Sequence, residues 1–195
     1  YTYISTLRNI LDAADEAGLP VIVLDRPDVM GGTTVEGPML QPGFESFVGH
    51  LPIALRYGLT PGELAKWWHA RNNLKNELSV VCCEDYFCPR EFDSLDFPWF
   101  KPSPSMPDVA TALMYPGTCL FEGTNISEGR GSDCPFRNLG APFIDADRWL
   151  ECIKPLLSEQ VSATTCSFVP TFSKFVGETC YGIRLTCEHP IEDAV

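Results

Sequence analysis

The sequence predicts a mixed α/β protein. Three observations carry that prediction: a helical apolar stripe at the start, an apolar run of strand length directly after it, and capped helical segments interleaved with short apolar runs further on. Ile4, Leu7, Leu11 and Ala14 recur at helical spacing, and Gly18 follows as a C-terminal stop. Val21-Ile22-Val23-Leu24 reads as a fully buried strand ending in the polar pair Asp25-Arg26. A helix feeding such a strand is half of an α/β unit, and the carboxyl end of the strand faces the expected ligand crevice.

Residues 27–59 are rich in Pro and Gly and read as a long, structured connection. Thr60-Pro61-Gly62-Glu63 then supplies a cap, a first-turn proline and a glutamate three residues after the cap, which predicts a helix running to about residue 70. The polar stretch 71–77 is the expected boundary between a first domain over residues 1–74 and a second α/β domain over 75–195. A strand is expected at 78–82 and loop at 83–107. A short helix is expected at 108–114, a strand at 118–121, a capped helix at 145–156, and strands at 166–172 and 181–187. No internal repeat is present.

The chain has 195 residues, of which 45% are apolar, enough for one or two globular domains. No apolar stretch approaches the ~20 residues of a spanning helix, and no signal sequence opens the chain. It begins at Tyr1, without Met and in mid-pattern, as expected of a piece of a longer product. Net charge is −12 with no Lys/Arg cluster, which argues against nucleic acid or an anionic membrane as partner. Nine cysteines are an odd number, so at least one stays unpaired within the chain; Cys82, Cys83 and Cys88 lack zinc-ribbon spacing, and buried thiols or some disulfides are expected. His50, His69 and His189 are scattered without metal-ligand spacing, so no metal is expected, and no nucleotide fingerprint is present.

The densest chemistry lies in Glu122-Gly-Thr-Asn-Ile-Ser-Glu-Gly-Arg-Gly-Ser132, which holds two carboxylates, an amide, three hydroxyls and a guanidinium between three glycines. So polar a segment reads as a loop on a scaffold, where binding and catalytic groups gather. On an extended strand Glu122 and Glu128 would stand roughly 20 Å apart, so only a folded-back loop unites them; the glycines at 123 and 129 permit that. For Glu128 an ion pair with Arg130 that holds the loop is the competing reading, and for Thr124, Asn125 and Ser127 it is satisfaction of backbone turns. Asn125-Ile126-Ser127 is formally a glycosylation sequon, expected to be unmodified.

Several ordered blocks resemble the bacterial NamZ-type exo-β-N-acetylmuramidases. They are Tyr1-Thr-Tyr3-Ile-Ser-Thr6, Leu24-Asp-Arg26-Pro27, Val35-Glu36-Gly-Pro38, Ser46-Phe-Val-Gly49, Pro102-Ser-Pro104, Tyr115-Pro-Gly-Thr118 and Glu122 through Ser132. The resemblance runs over nearly the whole chain, thinning after about Cys187, and family members are longer at both ends. It implies the C-terminal part of a Rossmann-like domain followed by a smaller α/β domain, with a cleft between them. It also implies release of terminal N-acetylmuramic acid from the non-reducing end of peptidoglycan fragments, without metal or organic cofactor. Catalytically silent sugar binding, or a shortened piece lacking a catalytic carboxylate, is the alternative. An extracytoplasmic location is the favoured reading.

With the family in view, Glu122, Glu128 and Asp12 are the candidate catalytic carboxylates, and Arg26, Arg130, Thr124, Asn125, Ser127, Tyr3 and Glu36 the candidate substrate contacts. Glycoside hydrolysis needs a carboxylic acid and a second carboxylate, and the lactyl carboxylate of muramic acid calls for a fixed cation, for which Arg26 or Arg130 would serve. Structural salt bridges compete with both arginine assignments. Tyr1, Ser5, Arg8 and Asp12 fall on one helical face, which either lines the site or is a solvated face with an Arg8–Asp12 pair. The chain departs from the family pattern at Asp28-Val29 for Asn-Pro, Tyr57 for His, Ser105 for Asn and Asp12 for Glu.

Overall fold

The computed structural model describes residues 2–88, 92 and 97–187. The chain divides into two compact units, Tyr1–Asp96 and Phe97–Val195. The division therefore falls beyond the expected boundary at 74/75, because the strand at 78–81 pairs with the strand at 21–24 and belongs to the first unit.

In the first unit, helix α1 (Thr2–Ala17) closes with Gly18 in the left-handed region, φ 65°, and with Leu19 N donating to Ala14 O at 2.8 Å. Strand β1 (Val21–Leu24) follows. The connection after it contains an antiparallel pair, β2 (Glu36–Met39) and β3 (Ala54–Arg56). Helix α2 (Pro61–Arg71) starts with the capping box seen in the sequence: Glu63 N donates to Thr60 Oγ1 at 3.1 Å, and Thr60 N donates to Glu63 Oε2 at 2.9 Å. Strand β4 (Leu78–Val81) then lies parallel to β1, with Val21 opposite Leu78 and Leu24 opposite Val81.

Leu11 of α1, Val23 of β1 and Leu64, Ala65 and Trp68 of α2 form the buried core, with Val21, Leu78 and Val80 packed against it. Strand side chains alternate faces, so this core takes one face of the β1–β4 pair only. Ile22 and Leu24 on the other face are 68% and 73% exposed, and the expected fully buried strand is thus buried on a single side.

In the second unit, helix α3 (Val109–Thr118) starts at Asp108, whose Oδ1 accepts from Thr111 N at 2.8 Å. It runs past Pro116 into a 3-10 turn, Cys119–Gly123, where the sequence led us to expect a strand at 118–121. An apolar run that short does not distinguish strand from helix by periodicity. Strands β5 (Asn138–Ala141), β6 (Val161–Phe168) and β7 (Cys180–Cys187) form an antiparallel sheet in the order β5-β7-β6. Helix α4 (Ala146–Ile153) precedes β6 and is capped by Asp145, as expected. Strand β6 ends at Phe168, short of the expected 166–172, because Pro170 brings no N–H to a ladder. Leu139, Phe168, Ile183 and Leu185 from the sheet, Leu113 and Met114 from α3 and Phe136 are buried.

Candidate carboxylate site

The polar segment 122–132 is fastened at its middle. Ser127 N donates to Gly140 O at 2.8 Å and Gly140 N donates to Ser127 O at 3.0 Å, which bridges the loop to β5. Phe136 N donates to Glu128 O at 2.6 Å. The chain then reverses at Gly129, φ 77°, where a Cβ would stand 2.5 Å from Asn138 O. Gly131 also has positive φ, whereas Gly123 does not and has nothing within 4 Å of a built Cβ. The reversal is thus made by Gly129 and Gly131, and the expected contribution of Gly123 is absent.

Asn138 locks the far end of the loop. This buried side chain donates through Nδ2 to Ser132 Oγ and Asp133 Oδ1, both at 3.1 Å, and accepts from Arg184 Nε at 2.8 Å.

The result brings Arg130 back over Glu122. Arg130 Nε donates to Glu122 Oε1 at 3.1 Å, and Arg130 Nη2 donates to the same oxygen. Nε also lies 3.3 Å from Glu128 Oε1. The two carboxylate oxygens therefore lie no further apart than the sum of those two contacts, instead of the roughly 20 Å of an extended chain. Arg130 in turn sits 4.8 Å over the ring of Phe136.

Glu128 is 1% exposed, so its charge has to be met from within the protein. Lys174, in the turn between β6 and β7, puts Nζ 3.2 Å from Glu128 Oε2 and donates to Phe121 O and Ile126 O, both at 2.8 Å. Ser173 Oγ donates weakly to Glu128 Oε1 at 3.4 Å. The side chains of Glu122 and Arg130 are 27% and 32% exposed, so they form the solvent-facing edge of the cluster. Burial works to lower the affinity of the Arg130 guanidinium for its proton, but the hydrogen bond to Glu122 and the charges of Glu122 and Glu128 outweigh it and raise its pKa. Burial, assisted by the Glu122 charge, pushes the neighbouring Cys119 thiol up to about 11.

The hydroxyls predicted as sugar contacts are engaged locally. Thr124 Oγ1 donates to Phe121 O at 2.9 Å and accepts from Ile126 N at 3.1 Å. Ser127 is buried, and its Oγ accepts from Gly129 N at 3.2 Å. Both therefore satisfy backbone groups of the turn. Asn125 is exposed on the same segment as Glu122.

The other candidates belong to the first unit. Asp12 Oδ1 accepts from the Trp68 indole N–H at 2.7 Å, and its Oδ2 pairs with Arg8 Nε at 3.4 Å. Arg8 stacks 4.4 Å from the Trp68 ring, and Ser5 is buried, so the polar face of α1 packs against α2 instead of lying open as a solvated face. Tyr1, the first member of that face, lies outside the described residues, as does His189. Glu36 accepts from Arg56 at 2.9 Å in a largely buried pair. Tyr3 and Arg26 are exposed.

Lys174 and Ser173 were not visible as site residues in the sequence. A lysine in a turn far along the chain carries no spacing signal, and only tertiary contact puts it against Glu128. Among the described residues, no group of three or more His, Cys, Asp or Glu side chains is placed to hold a metal ion, and no helix is long and apolar enough to cross a membrane. All nine cysteines are free thiols.

Two family models match the chain: Exo-beta-N-acetylmuramidase NamZ, N-terminal, over residues 1–110, and Exo-beta-N-acetylmuramidase NamZ, C-terminal, over residues 113–193. The peptidoglycan beta-N-acetylmuramidase NamZ of Bacillus subtilis (strain 168) is 44% identical over 185 residues, which cover 95% of this chain and 45% of that protein. A crystal structure of a DUF1343 family protein from Bacteroides fragilis NCTC 9343 is similar with a TM-score of 0.87 at 29% identity, covering 98% of this chain and 50% of the other. A second DUF1343 family structure from the same organism gives a TM-score of 0.73 at 28% identity, covering 94% of this chain and 49% of the other. The chain thus spans about half the length of the relatives it matches.

Proposed function

The chain belongs to the NamZ exo-β-N-acetylmuramidase family, and on that ground we propose that it serves as a glycoside hydrolase releasing terminal N-acetylmuramic acid from the non-reducing end of peptidoglycan fragments. The observation that carries the proposal is the folded-back loop in which Glu122 and Glu128 share Arg130. Hydrolysis of a glycosidic bond uses two carboxyl groups about 5 to 9.5 Å apart, one to protonate the leaving oxygen and one as base or nucleophile. Two carboxylates meeting on one guanidinium have oxygens no further apart than its two contacts together, which is inside the upper limit of that range.

Exposure divides their work. Glu122 stands at the solvent edge and is the carboxyl that meets the substrate, while Glu128, buried between Arg130 and Lys174, holds Arg130 against it, and the second reacting carboxyl must approach from elsewhere. The exposed edge of Arg130 offers further N–H donors to the lactyl carboxylate of muramic acid, for which its planar fork is suited. Asn125, exposed three residues after Glu122, is the amide available to a sugar acetamido or hydroxyl group. Asp12, with both oxygens committed to Trp68 and Arg8, is assigned no catalytic part.

For the first unit we propose a Rossmann-like origin. The support is a right order of parts: a parallel pair, β1 and β4, joined through helix α2, with α1 and α2 against one face.

The test is release of 4-nitrophenol from its β-N-acetylmuramide by the purified chain. Turnover that falls roughly 100-fold or more in Glu122→Gln supports the proposal. Saturable binding of N-acetylmuramic acid without turnover would instead identify a silent sugar-binding relative, and absence of both would end the reading.

A further inference from the structure

The contacts of Lys174 go beyond charge balance. The ammonium donates two hydrogen bonds and sets its charge beside a carboxylate, so it reaches three separate points of the candidate site. Phe121 O belongs to the residue before Glu122, Ile126 O lies two residues before Glu128, and the third point is the Glu128 carboxylate itself.

The backbone that presents Lys174 is unusual. Ser173 and Phe175, on either side of it, have φ of 73° and 58°, the left-handed region that side-chain-bearing residues seldom enter. Such conformations persist where surrounding contacts over-determine them, and they cluster at functional sites. The turn is indeed tied down on both sides. Thr171 N and Oγ1 both donate to Gly131 O, at 3.0 and 2.9 Å; Gly177 N donates to Pro170 O and Glu178 N to Phe175 O, each at 3.0 Å.

We propose that Lys174 is a positioning residue for the Glu122–Arg130–Glu128 set. By holding Glu128 and the turn over residues 121–126 together, it leaves Arg130 shared between the two carboxylates and presents Glu122 to the substrate in one orientation. The proposal rests on the reading that Glu122 acts on a glycosidic bond. Without the lysine, Glu128 is left with Arg130 as its counter-charge. Arg130 then moves toward the buried carboxylate and releases Glu122.

The experiment compares the full chain with Lys174→Met and Lys174→Arg, using the 4-nitrophenyl β-N-acetylmuramide and crystal structures of the wild type and the Met variant. Misplacing one reacting group is worth roughly 100-fold, so kcat of K174M should fall about that far with KM changed less than about threefold. K174R, which keeps a cation and several donors, should regain roughly tenfold of the loss. A purely structural lysine would lower the melting temperature and leave kcat of the folded protein unchanged. The K174M structure is expected to show Arg130 withdrawn from Glu122. If K174M does not fold, Lys174→Gln, which keeps donors for the two carbonyls but no charge, is read by the same two measurements. Wild-type kcat in a folded variant, or an unchanged Glu122–Arg130–Glu128 arrangement in its structure, overturns the proposal. Absence of turnover in the wild type overturns the glycosidase reading instead, while the crystal structures still decide the positioning role.

Discussion

Asp25 accepts the backbone N–H of Gly62 at 2.7 Å through Oδ1 and the hydroxyl of Thr60 at 2.8 Å through Oδ2, so the end of β1 is bound to the first turn of α2. A carboxylate facing a helix N-terminus is favourable by about 0.3–1 kcal/mol. The approach depends on the absence of a side chain at 62. A Cβ there would lie 2.7 Å from Asp25 Cγ and 2.6 Å from Val80 Cγ1. We therefore expect Gly62→Ala to destabilise the chain by about 1–3 kcal/mol, as overpacking does. Urea denaturation followed by far-ultraviolet circular dichroism checks this, and an unshifted midpoint would show that the junction has room to give.

That junction also shows what was legible in the sequence. The capping box from Thr60 to Glu63, the stripe of α1 and the stop at Gly18 are local patterns, and the structure reproduces them. The role of Asp25 depends on partners 35 and 37 residues away, which no window of sequence contains. The same holds at the candidate site. The density of groups from Glu122 to Ser132 marked the segment, but the burial of Glu128 and the arrival of Lys174 are tertiary facts. Thr124 and Ser127 were ambiguous because a hydroxyl that caps a turn and one that binds sugar look alike in sequence. The one-sided burial of β1 was missed because an all-apolar run records what a strand can bury, whereas its neighbours decide which face is covered.

Asp28 supplies a prediction with a pH signature. Burial raises its pKa above 3.8 despite a hydrogen bond from Met30 N at 2.9 Å and the nearby charge of Arg56. A carboxyl group whose folded pKa is raised adds its full stability below the unfolded value and loses it as pH rises through the folded value. At neutral pH the ionised Asp28 is therefore a cost. Asp28→Asn keeps an oxygen acceptor for Met30 and removes the charge, so it should raise Tm by about 2 °C at pH 7. The gain should vanish below about pH 4, where the unfolded carboxyl is also protonated. Melting curves across that range decide it, since a gain that persists at low pH would have a cause other than charge burial.

Gly123 and Gly129, both within the polar loop, should respond differently to alanine. Alanine at 129 would adopt positive φ and press Cβ to 2.5 Å from Asn138 O, in the stretch that turns Arg130 back over Glu122. We expect a loss of about 2 kcal/mol or more in stability for Gly129→Ala. Gly123→Ala meets nothing within 4 Å and has no positive φ, so it should be within about 0.5 kcal/mol of wild type. Paired denaturation curves test the contrast, and similar losses in both variants would count against the described reversal.

Two duties are proposed for Arg130, and substrate choice can separate them. Arg130 holds Glu122, through Nε and Nη2, whatever the sugar carries. The proposed contact with a lactyl carboxylate would matter only for muramic acid. Arg130→Ala should therefore depress hydrolysis of both the muramide and the lactyl-free N-acetylglucosaminide, but the muramide by roughly a further tenfold, the worth of a charge-assisted hydrogen bond. Arg130→Lys keeps the charge and loses the fork, and should recover part of the muramide-specific loss while leaving Glu122 poorly held. Values of kcat/KM for both substrates in both variants give the comparison. If Arg130→Ala weakened the two sugars equally, the guanidinium would be an orienting group for Glu122 alone, and the lactyl carboxylate would be met elsewhere.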